Sequence, residues 1–198
     1  MTIISLFDEQ PQEHGPEPGG FWIRAGAHGI DWVGTSILSI LGVLTVAVFS
    51  GLLVVATHHK YAGFLPVLRH PSWLQYVTGI LVTITYQAVC ESVGGATLGK
   101  RLCGLQVVSE NFGPVTLMQA IKRSVTLFID GFFFGAVAWH HMSDSPMKQR
   151  IGDSWAGTYV VKRRTLPEAQ QRTMKIFLAA LVAGSAAAMF IDVAWWLV

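Results

Sequence analysis

The chain has 198 residues, 52% of them apolar and only 13% charged, with a mean hydropathy of +0.46. A soluble domain carries about a quarter charged residues, so this chain lacks the charge to coat a water-facing globule of its size. A net charge of +2 is too small for a nucleic-acid footprint, and two cysteines, Cys90 and Cys103, exclude a disulfide scaffold or a four-cysteine metal site.

Residues 1–20 carry Asp8, Glu9, Glu13 and Glu17 among Pro11, Pro16, Pro18, Gly15, Gly19 and Gly20. This composition predicts a flexible acidic tail. No basic start leads into a long apolar core, so a cleaved signal peptide is not expected. Residues 32–56 then run without a charge. A bilayer core of about 30 Å needs roughly 20 helical residues, so this stretch is long enough to span. Its helix is expected to begin near Phe21, which brings Arg24 and Asp31 onto it. A polar connection holding His58, His59, Lys60, Arg69 and His70 follows, and residues 73–90 form a second uncharged run closed by Glu91 and broken by Gly94-Gly95. Residues 124–139 are apolar but short: as a helix they cover about 24 Å, and Asp130-Gly131 interrupts them. The last run, residues 176–198, has Asp192 as its one charge and ends near Trp195-Trp196, residues suited to a membrane interface.

Basic residues discriminate between topologies. If the short run crosses fully, Arg24, Lys100, Arg101, Lys122 and Arg123 lie on one side and the other nine of 14 on the opposite side. If it enters and returns, all but Lys60 and Arg69 lie together, as the positive-inside rule favours. The segments 104–108 and 157–161 read as short strands flanking this run, and they can pair only from one side of the membrane. The expected fold is an all-α polytopic membrane protein: three transmembrane helices, a re-entrant or interfacial helical hairpin, and a small cytoplasmic β-pairing. Four full spans is the alternative.

Ionisable residues in apolar spans are expensive and invite partners. Arg24 and Asp31 lie two helical turns apart on one face, about 10.5 Å along the axis, so a third group is expected between them. Otherwise Arg24 snorkels to lipid phosphate and Asp31 sits near the water line. Glu91 is placed to face Arg24 or Lys100, most simply as a structural ion pair. Asp130 is either the polar tip of a hairpin or a carboxylate turned into the bundle. Gly94 to Lys100 spells most of a phosphate-binding loop, but Arg101 stands where Ser or Thr would hold magnesium. The segment is read instead as a glycine-rich turn, with Gly95, Thr97 and Gly99 shaping it and Lys100 and Arg101 contacting headgroups. The pairs His58-His59 and His140-His141 have no nearby carboxylates to complete a metal site, and no nucleophile arrangement is visible. No cofactor, metal or enzymatic activity is expected.

Taken together, Gly20-Phe21-Trp22-x-Arg24, Asp31, Glu91, then Gly95-x-Thr97-x-Gly99-Lys100-Arg101-x-x-Gly104-Leu105-x-Val107-Val108, and finally Gly152-Asp153-x-x-Ala156-Gly157-Thr158-x-Val160-Val161, resemble the RDD family of bacterial membrane proteins. The arginine and two aspartates of that family's name map onto Arg24, Asp31 and Asp153. Gly152 departs from the usual histidine, and the C-terminal span lies outside the pattern. The resemblance implies a transport role, with ions as candidate cargo.

The expected organisation is therefore a tail (1–20), an RDD-like membrane domain (21–162), a basic linker (163–175) and a C-terminal transmembrane helix (176–198). The expected location is the bacterial inner membrane, with the N-terminus cytoplasmic. Expected partners are the lipid bilayer and a second copy or another membrane protein, with no nucleic acid. Two functions compete. In one, Asp31, Glu91, Asp130 and Asp153 around Arg24 form a polar centre that exchanges a proton or cation. In the other, Arg24, Asp31 and Asp153 are a clamp that holds the fold of an accessory membrane module.

Overall fold

The computed structural model describes residues 15–57, 72–130 and 136–196. Three long helices dominate it: α1 (Phe21–Thr57), α2 (Ser72–Gly94) and, closing the chain, α7 (Met174–Trp196). Within the described residues, three stretches are long and apolar enough to cross a membrane: Phe21–Thr45, Tyr76–Gly94 and Glu168–Ile191. Between α2 and α7 lie α3 (Leu98–Leu102), β1 (Leu105–Ser109), α4 (Leu117–Asp130), α5 (Ala136–Asp144), α6 (Ile151–Ala156) and β2 (Thr158–Lys162).

Small residues bring α2 and α7 together. Ala180, Gly184 and Ala188 recur every fourth position, which places them on one stripe of α7. A Cβ on Gly184 would stand 2.6 Å from Cys90 Sγ, and one on Gly94 would stand 2.8 Å from Ala180 Cβ. Ala188 packs with Val82 and Tyr86 further along. These pairings run in opposite directions along the two chains, so the helices are antiparallel. Close backbone approach through small side chains is the usual means of helix association where lipid removes the hydrophobic drive.

The two strands expected from sequence pair antiparallel, in register from Leu105 opposite Lys162 to Ser109 opposite Thr158. The part of the acidic segment nearest α1 is not a loose tail. Pro18 bridges to Val161, the Gly19 amide donates to the Val160 carbonyl at 2.8 Å, and the Lys162 amide donates to the Glu17 carbonyl at 2.8 Å. These residues line the second edge of β2, and the rest of the expected tail, 1–14, lies outside the described residues. The expected basic linker contains two 3-10 turns, Arg163–Thr165 and Glu168–Gln170. The expected break at Asp130-Gly131 also falls at a boundary of the description: α4 ends at Asp130, and residues 131–135 lie outside it.

The pattern of burial is inverted relative to a protein in water. On α1, Arg24, Ala27, Asp31 and Thr35 are buried, while Trp22, Ile30, Val33, Ile37, Ile40 and Leu44 are exposed. On α4, Arg123 is 1% exposed and Met118 62%, with Ser124 and Thr126 buried and Leu117 and Val125 outside. Exposed apolar faces this extensive belong against lipid, and ionisable residues within such helices turn to the bundle interior. The start of α1, the end of α2 and the start of α7 meet at one end, beside the sheet. That end holds the buried charges.

Candidate functional site

Arg24 sits one turn into α1, and each nitrogen of its guanidinium has a partner. Nε donates to the Gly19 carbonyl at 2.8 Å, Nη1 to Asp153 Oδ2 at 2.5 Å and Nη2 to the Val160 carbonyl at 3.1 Å. One side chain thus ties α1 to the edge of the sheet and to α6. Asp153 is the third residue of α6, where its Oδ2 also accepts the Arg150 amide at 3.2 Å and closes the helix N-terminus. Its Oδ1 accepts from Arg123 Nη1 at 2.7 Å and lies 3.6 Å from Arg150 Nη2. Burial pushes this carboxyl up, but Arg123, Arg150 and Arg24, with the Arg150 amide, outweigh burial and hold it far below the ordinary carboxylate range.

Arg123 carries the network onward. Its Nε donates to Glu91 Oε2 at 2.9 Å and its Nη1 also reaches Thr158 Oγ1 at 2.8 Å. Glu91 Oε1 takes the Lys100 ammonium. Lys100 is 1% exposed and cannot contact headgroups, contrary to the expectation from sequence. Burial, the largest influence on Lys100, lowers its pKa below the usual lysine range, with Glu91 acting in the opposite direction. The same correction applies to most of the glycine-rich turn, because Gly95, Thr97 and Gly99 are buried. Gly95 has φ +69°, in the left-handed region that favours glycine. A Cβ on Gly99 would stand 2.0 Å from the Ala27 carbonyl oxygen, so only glycine lets α3 rest on α1. Arg101 is half-buried: its guanidinium lies over the Phe177 ring at 5.1 Å, and Nη2 donates to the Arg172 carbonyl at 3.2 Å.

Asp31 stands apart from these ion pairs. Its Oδ2 accepts from the Thr97 hydroxyl at 2.5 Å, and its Oδ1 accepts from the Gly99 amide at 2.8 Å and from the Tyr86 hydroxyl at 3.5 Å. Thr97 also caps α3. The group between Arg24 and Asp31 is His28, on the same face of α1. Its Nε2 lies 3.2 Å from Arg150 Nη1. A guanidinium only donates, so Nε2 is the acceptor and the proton of this neutral imidazole is on Nδ1.

Beside this line of residues is a cavity of about 370 Å³, lined by Arg24, His28 and Asp31 of α1, Thr83 and Gln87 of α2, and Arg150. Glu91 and Asp153 do not line it. The structure therefore brings Arg24, Glu91 and Asp153 into one network through Arg123, and sets Asp31 on a different set of donors at the cavity wall. The side chain of Asp130 lies outside the described ones. Sequence reasoning missed Arg123, Arg150, His28 and Tyr86. Arg123 was legible as a cation among Ala120, Ser124 and Leu127 on one helical face, and Arg150 as a cation three residues before Asp153.

The profile of the RDD family, a family of bacterial membrane proteins, matches residues 18–157. The chain is also similar to the uncharacterized protein YxaI of Bacillus subtilis (strain 168), 28% identical over 124 residues that cover 60% of this chain and 81% of that protein. No solved structure matches it.

Proposed function

This chain belongs to the RDD family, and from that premise we propose a transport-related membrane protein in which Asp31 exchanges a proton or cation at the cavity, inside a frame locked by Glu91, Arg123 and Asp153. The observation that carries this reading is the contrast among the carboxylates. Glu91 meets Lys100 and Arg123, and Asp153 meets Arg24, Arg123 and Arg150. Among the described residues Asp31 has hydrogen-bond donors but no salt bridge, and it is the one of these three carboxylates that lines the cavity. A carboxylate that accepts from hydroxyls and an amide can change its proton or ion without stranding a buried cation. Glu91 and Asp153 cannot.

In this reading α1, α2 and α7 span the inner membrane and the sheet end faces the cytoplasm, with the N-terminus. That orientation places every Lys and Arg except Lys60 and Arg69 on the cytoplasmic side. The α4–α5 pair lies in the cytoplasmic interface or re-enters from it. The 14 residues of α4 measure about 21 Å, too short to cross, yet its outer face is apolar. Three spans are few for a translocation path, so a second copy completes the assembly.

The test is flux in proteoliposomes. Purified protein moves protons, read by an entrapped pH-sensitive dye, when a sodium or potassium gradient is imposed. Asp31→Asn removes this flux while retaining the native elution profile and melting behaviour. A folded Asp31→Asn protein with native flux contradicts the reading. The clamp reading has its own support, the multiple cations on Glu91 and Asp153. It stands alone if the native protein moves neither protons nor cations.

A further inference from the structure

The ionic groups at the cavity wall are engaged within the protein. Arg24 donates to two carbonyls and to Asp153, Asp31 accepts from three donors, and Arg150 is held by His28 and Asp153. The polar groups left over at the wall are uncharged. Gln87 of α2 is 5% exposed and lines the cavity, yet its carboxamide makes no hydrogen bond among the described residues. Buried polar groups are nearly always hydrogen-bonded, so an exception calls for a reason. His28 lines the same space, and its Nδ1–H likewise has no acceptor among the described residues. Thr83, one turn before Gln87, also lines the cavity; its hydroxyl proton goes to the Gly79 carbonyl at 2.8 Å, which leaves its oxygen lone pairs as acceptors. The remaining wall is largely apolar, with Phe21, Trp32, Leu127 and Met142.

From this arrangement we infer that the cavity binds a small uncharged solute bearing a carboxamide, its amide group at Gln87 and its apolar body against Phe21, Trp32, Leu127 and Met142. A carboxamide presents a donor beside an acceptor, and Gln87 presents the complementary acceptor and donor, so the two groups pair through two hydrogen bonds. The His28 Nδ1–H and the Thr83 hydroxyl oxygen supply one more donor and one more acceptor for the positions that remain. A charged solute has no such match. The ions of the wall already have partners, and a charge taken from water without a partner of its own is costly. The volume of about 370 Å³ falls at the small end of the range for organic-ligand sites. Binding of the amide does not require Asp31 to titrate. In one respect the inference rests on the reading above: there, this amide is the solute whose passage the Asp31 proton accompanies.

The experiment is equilibrium binding to the full-length protein in phosphatidylcholine nanodiscs, with the signal of empty nanodiscs subtracted, so that it does not depend on transport. Three planar probes of one shape and different charge are titrated: benzamide, benzoate and benzamidinium. Benzamide binds about tenfold or more tighter than either ion. Gln87→Leu weakens benzamide by about tenfold. Its melting midpoint stays native or rises, because an unpartnered carboxamide gives way to an apolar group of similar size. Benzoate or benzamidinium binding as well as benzamide overturns the inference, and so does the absence of benzamide binding, which leaves Gln87 to water alone. Native benzamide affinity in Gln87→Leu overturns it too. A sharp fall in that variant's midpoint does the same, because Gln87 is then a structural residue. Flux lost in Asp31→Asn, with no benzamide bound by the native protein, keeps the proposed proton site and overturns this ligand. Benzamide binding together with native flux in Asp31→Asn keeps the ligand and discards the proton site.

Discussion

Two polar regions share the sheet end of this bundle and are built differently. Around Glu91 of α2 and Asp153 of α6, every carboxylate oxygen meets at least one cationic nitrogen, and the partners come from α1, α3, α4 and the residue just before α6. Around Asp31, the partners are a threonine hydroxyl, a glycine amide and a tyrosine hydroxyl. The first region holds segments together and has no free move. In the proposed function the second changes its protonation while its donors stay in place. Buried charge alone does not mark a working site; what surrounds the charge decides.

The comparison breaks most readily at Asp153. Asp153→Ala leaves Arg24, Arg123 and Arg150 facing each other without their shared carboxylate, and breaking a buried pair this way costs about 3–5 kcal/mol. Folded yield in detergent and the melting midpoint should both fall sharply; a native midpoint would mean the network does not hold the fold. Next in size is Gly99→Ala. The new Cβ meets backbone at 2.0 Å, so α3 must lift from α1 and take Thr97 and the Gly99 amide away from Asp31. Overpacking of this kind costs about 1–3 kcal/mol, and flux should fall with stability. Gly184→Ala presses on the buried Cys90 Sγ and on the Tyr86 carbonyl oxygen, and should lower stability by about 1 kcal/mol with flux retained. Its effect on stability alone would separate the α2–α7 contact from both polar regions.

pH sharpens the contrast further. The folded pKa of Asp153 lies below its unfolded value of about 3.9, so its stabilising contribution is fully present above that value and is lost only as the pH falls through the lower folded value. Between pH 7 and pH 5, therefore, Asp153→Asn should lower the melting midpoint by the same amount at each pH. A deficit that shrinks steadily across that interval would show that Asp153 titrates there.

Much of this arrangement was legible in the sequence, for reasons that can be named. Runs with at most one charge, long enough for a bilayer, exposed the three long apolar helices, and paired valines following a glycine exposed β1 and β2. Arg24, Asp31 and Glu91 stood out because charge in or beside an apolar run needs a reason, and Asp153 through the resemblance to the RDD family. Lys100 had two readings, headgroup contact because a lysine just beyond an apolar run usually reaches headgroups, and a pair with Glu91; the pair with Glu91, nine residues earlier, is the one that forms. Arg123 and Arg150 were passed over because they lie on or just before short helices that carry other polar residues, so a cation among Ala120, Ser124 and Leu127, or three residues before Asp153, is a weak signal. His28 looked like one more residue of α1 until Arg150, distant in sequence, arrived beside it.

The most direct test of the separation between frame and working carboxylate is to measure melting and proton flux on one preparation of Asp31→Asn. The asparagine keeps an acceptor for the Gly99 amide, so the loss of stability should be about 1 kcal/mol or less. The account predicts a protein that melts nearly as the native one does and moves no protons. A protein that melts as the native one does and still moves protons at the native rate would contradict it.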